Sequence, residues 1–133
     1  MARILIVEDE KALNEAYELI LKKEGHDVEA TFNGQEALAK IRDFNPEIIL
    51  LDLRMPKMDG VSFLKELQPS NNLPDAKIIV FSNYDNHEEI DAAFEHGATR
   101  YILKAWSSPA ELVKVVNETL QTRDNEAVAA EQK

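Results

Sequence analysis

Six polar residues stand just behind short apolar runs: Glu8, Asp9 and Glu10 after Ile4 to Val7, Asp52 after Ile48 to Leu51, Ser82 after Ile78 to Phe81, and Lys104 after Tyr101 to Leu103. Three carboxylates packed together repel, so either their pKa values rise or a cation sits among them. Hard oxygen ligands suit Mg²⁺, which keeps several waters and leaves room for phosphate oxygens. Across such a pocket, a lysine ammonium and a serine hydroxyl can bind the other oxygens of a phosphoryl group. Asp52 is the group best placed as nucleophile, because carboxylates take phosphoryl groups covalently. With Mg²⁺ and Lys104 neutralising the transferring group, little further covalent chemistry is required of the protein.

These residues converge only if the elements behind them do. Each of five apolar runs is followed by a segment of helical period. Leu13, Ala16, Tyr17, Ile20 and Leu21 fall on one helical stripe, which Gly25 ends as a left-handed cap. Val28, Ala30 and Phe32 alternate with polar residues, as in a half-buried strand near a sheet edge. Asn33-Gly34 reads as a turn, with Ala37, Leu38, Ile41 and Phe44 on the next helical face and Asn45-Pro46 as its stop. The run Ile48 to Leu51 is apolar throughout, as a central parallel strand covered on both faces must be. A loop with Pro56 and Gly60 leads to a helix around Phe63, Leu64 and Leu67, broken by Pro69 and Ser70-Asn71-Asn72. A fourth helix is expected from about His87 to His96, with Gly97 as its stop. Ser108-Pro109-Ala110-Glu111 reads as a capping box opening the last helix.

Five strand–helix units predict an α/β fold with parallel strands, right-handed crossovers and helices on both faces of the sheet. Ligands bind such sheets at the carboxyl ends of the strands, and four of the five ends carry the polar residues above. Residues 1–121 are read as the folded domain and 122–133 as a polar tail or linker stub.

Composition narrows the class further. The chain has 133 residues, 44% apolar and 30% charged, enough for a core and too apolar for a disordered chain. It has no Cys, which excludes disulfides and thiolate metal sites. A net charge of −10 disfavours binding to nucleic acid or anionic membrane. No apolar stretch reaches the roughly 18 residues of a membrane span, and a cytoplasmic protein is expected. His26, His87 and His96 lack metal-ligand spacing, and Asn117-Glu118-Thr119 carries no weight as a glycosylation pattern without a signal peptide.

Taken singly, Asp52 reads as a helix cap, Ser82 as a turn residue, Lys104 as a solvated cation and Tyr101 as packing. Their ordered set reverses those odds. Glu8-Asp9, the run Asp52-Leu53-Arg54-Met55-Pro56-Lys57-Met58-Asp59-Gly60, Ser82, Tyr101 and Lys104 together resemble the response-regulator receiver domain of two-component signalling, the CheY-like family. The resemblance covers about residues 2–121. It implies a flavodoxin-like (βα)5 fold with strand order 2-1-3-4-5. It also implies that Asp52 is the phosphoryl acceptor, that Glu8, Asp9, Asp52 and the backbone carbonyl of Arg54 hold Mg²⁺, and that Lys104 pairs with the phosphoryl group. Ser82 would move to hydrogen-bond that group and Tyr101 would swing inward behind it, remodelling the face made by the fourth long helix, fifth strand and last helix. The implied partners are a histidine kinase or histidine phosphotransfer protein and an unknown output protein or effector domain, with a possible homodimer through the same face. Such a domain assists only its own phosphorylation and dephosphorylation and is not otherwise an enzyme.

Two positions depart from the family pattern. Ala105 follows Lys104 where the family usually has proline, which predicts a trans or strained cis link and a shifted loop carrying Trp106. Arg54 and Tyr84 stand at the pocket rim, where a guanidinium and an aromatic ring are expected to lengthen the life of a phosphoryl-aspartate. A flavodoxin-type FMN protein is disfavoured because Glu8-Asp9-Glu10 would repel its phosphate. An aspartyl phosphatase is disfavoured because Arg54 stands where such enzymes carry a second Asp. A receiver-like interaction module that is not phosphorylated is the remaining alternative.

Overall fold

The computed structural model describes residues 2–55, 58–82, 87–103 and 108–121. The strands are β1 Arg3–Val7, β2 Asp27–Thr31, β3 Ile48–Leu51, β4 Lys77–Ser82 and β5 Arg100–Leu103. The helices are α1 Lys11–Lys23, α2 Gly34–Phe44, α3 Gly60–Leu67, α4 Pro69–Asn72, α5 His87–Glu95 and α6 Pro109–Gln121. All strand pairs are parallel, in the order β2-β1-β3-β4-β5. This is the α/β architecture and strand order expected from the sequence.

Strand alternation divides the core into two layers. Leu5, Val7, Ile49, Leu51, Ile78 and Val80 pack on one side with Ala37, Ile41, Phe63, Leu64 and Ala93 from α2, α3 and α5. Ile4, Ile6, Ile48, Leu50, Ile79 and Phe81 pack on the other with Leu21, Leu112, Val115 and Val116 from α1 and α6. Every residue of β3 is buried, which is what its uninterrupted apolar run requires. The edge strand β2 is buried only at Val28 and Thr31.

Four local details differ from the sequence reading. Asn33-Gly34 is a helix start rather than a separate turn, since Glu36 N donates to Asn33 Oδ1 at 2.9 Å. Gly34 lets Met58 pack close, since a Cβ would lie 2.9 Å from Met58 Sδ and the methionine would have to shift. The segment expected only to break α3 itself forms the single-turn α4, with Pro69 at a first-turn position that needs no amide donor. On α1, Ala16 is exposed and Asn14 is fully buried. The predicted stops do hold: Asn45 adopts a left-handed conformation with φ 52°, and Gly25 has φ 92°. Glu111 N donates to Ser108 Oγ at 3.2 Å, as the predicted cap of α6 demands.

Candidate functional site

The chain leaves β1 toward one edge of the sheet and then crosses to β3 on the other side, so the point where strand order reverses lies between β1 and β3. Asp52 N donates to Val7 O at 3.0 Å, which carries the pairing one residue past the end of β3. Glu8 and Asp52 therefore leave adjacent strands side by side. Carboxylate oxygens of Glu8, Asp9 and Asp52 lie within 4.8 Å of one another. Glu8 is 2% and Asp52 6% exposed, while Asp9 is more open. Three hard oxygen donors drawn together at a solvent-reached strand end fit a small divalent cation. Glu10 is exposed and outside this cluster, although its backbone N–H donates to Glu8 Oε2 at 3.0 Å and helps fix that carboxylate.

The loop carrying the acidic pair is anchored from below. Asn14 Nδ2 donates to Glu8 O at 2.9 Å and to Thr31 O at 2.7 Å, tying the end of β1 to the end of β2. Thr31 Oγ1 donates to Ile6 O at 2.7 Å and fastens the same two strands one step earlier. Beyond β3, Arg54 N donates to Asp52 Oδ1 at 3.3 Å. Gly60 lets the following loop close on the end of β3, since a Cβ there would fall 2.7 Å from Asp52 O and 2.8 Å from Leu53 Cα.

Ser82 ends β4 and is fully buried. Because Leu51 pairs with Val80, Ser82 falls level with Leu53, beside the carboxylate cluster at the same end of the sheet. Tyr101 is buried in the α2–α3–α5 layer, so the residue expected to swing inward stands inward in this structure. The Arg54 side chain, expected at the pocket rim, pairs with Glu89 of α5, with Nε 3.2 Å from Oε1. Lys104, Ala105, Trp106, Tyr84, Pro56 and the tail 122–133 lie outside the described residues, and so do the expectations attached to them.

Three contributors were not picked out from sequence. Asn14 looked like one polar residue among several in α1. Tyr17 was read as core alone. It packs on Phe81 with ring centroids 5.2 Å apart, and its hydroxyl feels the charges of the acidic site. Burial first, and then the charges of Glu8, Asp52 and Glu10, push its pKa above the ordinary phenol value. Glu89 was an exposed-looking acid in the first turn of a helix, and only the fold brings it to Arg54.

A doubly wound parallel sheet with an acidic cluster at its switch point and a buried serine on the neighbouring strand defines a class of flavodoxin-like α/β proteins with their ligand site at the strand ends. The comparison with known families is specific. Residues 4–117 match the response regulator receiver domain, and the chain belongs to that family. It is 32% identical over 124 residues to the DNA-binding response regulators MtrA of Mycolicibacterium paratuberculosis and Mycobacterium tuberculosis. Those alignments take in 93% of this chain and 53% of the relatives, so the chain spans about half the length of the curated relatives it matches. Among solved structures, a CheY-like receiver domain protein from Methanospirillum hungatei superposes with TM-score 0.84 at 31% identity, covering 91% of this chain and 94% of that one. Chemotaxis protein CheY4 of Vibrio cholerae superposes with TM-score 0.82 at 27% identity, covering 90% and 98%. The chain is thus a response-regulator receiver domain of two-component signalling. Among the described residues no helix is long and apolar enough to cross a membrane.

Proposed function

We propose that this receiver accepts a phosphoryl group on Asp52 from a phosphohistidine donor, in a reaction that requires Mg²⁺ held by Glu8, Asp9, Asp52 and the Arg54 carbonyl. The observation that carries the reading is the gathering of those three carboxylates within 4.8 Å at the switch point. An Asp52 oxygen attacks phosphorus, the P–N bond to the donor imidazole breaks, and its electron pair stays on the ring nitrogen. The product is an acyl phosphate. Mg²⁺, when bound, supplies positive charge to the phosphoryl oxygens. Lys104 is the proposed second cation, and Ser82 the hydroxyl that donates to the transferred group. Gly60 and Arg54 N hold the acceptor in place, and the buried Glu8 keeps its charge away from bulk water.

The donor is a histidine kinase or a histidine phosphotransfer protein, and the reaction takes place in the cytoplasm. The chain is no enzyme toward a separate substrate. Its output runs through the face of α5, β5 and α6, by way of Ser82 and Tyr101, to an effector or to a second copy. DNA binding, named for the MtrA relatives, is not proposed for this acidic chain.

Intact mass after incubation with a small-molecule phosphodonor and Mg²⁺ tests the reading. One phosphoryl adduct is expected, absent from Asp52→Asn and from a chelated sample. No adduct under conditions that label another receiver would leave the non-phosphorylated interaction module as the function.

A further inference from the structure

The Arg54–Glu89 ion pair joins two parts of the molecule that the proposed chemistry would treat differently. Arg54 lies two residues beyond the acceptor, and its backbone N–H already touches Asp52 Oδ1. Its guanidinium Nε donates to Glu89, in the first turn of α5, at 3.2 Å. Both side chains are partly open to water, at 46% and 34% exposed. Such a solvent-exposed pair is weak. It is poorly able to resist a stronger competitor for the same cation.

We propose that Arg54 exchanges Glu89 for the phosphoryl group, so that the ion pair acts as a counterweight to phosphoryl retention and reports site occupancy to α5. The proposal rests on Asp52 being the phosphoryl acceptor. A phosphoryl group brings about −1.5 to −2 charge and three acceptor oxygens, against one charge and two oxygens on Glu89. A guanidinium fork engages two of those oxygens at once. The competition has a direct consequence: whatever holds Arg54 on Glu89 shortens the life of the acyl phosphate, and whatever frees Arg54 lengthens it. Release also leaves Glu89 beside Glu88 in the first turn of α5, where the helix N-terminus tolerates both acids. The coupling is reciprocal, so a cationic partner group that takes Glu89 away from Arg54 would itself stabilise the phosphorylated state.

A double-mutant cycle on the half-life of the phosphorylated protein, followed by intact mass after the donor is removed, tests the exchange. Glu89→Gln keeps the shape and removes the competing charge. It is expected to lengthen the half-life by about two- to fivefold, the factor an exposed ion pair of up to about 1 kcal/mol can supply. Arg54→Gln is expected to shorten it, and adding Glu89→Gln to Arg54→Gln should change nothing further. An unchanged or shortened half-life in Glu89→Gln overturns the proposal, as does an equal lengthening in the absence of Arg54. If no variant takes an adduct while another receiver does, the acceptor assignment fails first and the exchange fails with it.

Discussion

The two ends of the same sheet manage charge in opposite ways. At the amino ends of the strands, opposite charges and hydrogen-bond partners are matched. Glu47 Oε1 accepts from Arg3 N at 2.9 Å and Glu47 Oε2 lies 3.9 Å from the Arg3 guanidinium, whose Nε also donates to Asn45 O. Ala2 N donates to His26 Nδ1 at 3.1 Å. At the carboxyl ends, three acids crowd together, two of them buried. The amino ends pair their charges, whereas the carboxyl ends draw carboxylates together in a geometry that a bound cation would favour. Carboxylates gathered and held in place by hydrogen bonds are therefore the physical mark of the working end.

If that contrast is correct, the strongest way to break it is to remove what holds the like charges together. Asn14→Ala deletes both hydrogen bonds to Glu8 O and Thr31 O from a fully buried position. It is expected to cost about 2 kcal/mol in denaturant unfolding, more than an ordinary surface change. An effect below about 0.5 kcal/mol would show that the acidic loop stands without its anchor.

A smaller effect, of opposite sign, is expected from removing one of the like charges. Asp52→Asn should stabilise the metal-free fold by about 1 kcal/mol, as expected for like charges about 4 Å apart in a water-like dielectric. Mg²⁺ at tenfold its dissociation constant should stabilise the parent protein by about 1.4 kcal/mol and the variant by less. Thermal melts with and without Mg²⁺ would show it. A variant less stable than the parent in the absence of metal would mean that Asp52 is a structural partner rather than a strained one.

The smallest effect belongs to the matched end. Burial, more than the opposing charges of Glu24 and Glu47, lowers the pKa of His26, so the folded state favours the neutral ring that accepts from Ala2 N. The unfolded ring titrates near about 6.5. The His26 contribution is then complete above that pH and is lost as pH falls toward the lowered folded value. The slope of melting temperature against pH between about 7 and 5.5 should flatten in His26→Gln. A slope identical to that of the parent would remove His26 from the account.

The contrast between the ends also explains what could be read from the sequence. Strand ends are legible because an apolar run must stop where its polar follower begins, so Glu8, Asp9, Asp52 and Ser82 announced themselves by position. Strand order followed from the family resemblance that those residues carried. Contacts that depend on tertiary packing were not legible. Asn14 is polar at a spacing the helical period assigned to no face, yet it is buried because two carbonyls wait for its amide. Ala16 fits the apolar stripe but is small enough to face water at little cost. The one-turn α4 was hidden because proline and asparagine also signal a plain break. The Arg54–Glu89 pair joins residues 35 positions apart, beyond any local pattern.

The strand register carries a consequence for how the working end comes into being. Neighbours in sequence pair across modest loops, as Arg3 does with Asp27. The pair that brings Glu8 and Asp9 to Asp52 is β1 with β3, where Ile4 meets Ile48 across the whole of the first two units. Closing that longer loop costs more chain entropy before any contact repays it. Asp52 and its acidic neighbours thus meet only in a chain whose third strand has already closed against the first. A growing polypeptide therefore has no gathered acidic cluster until that long-range pairing is made.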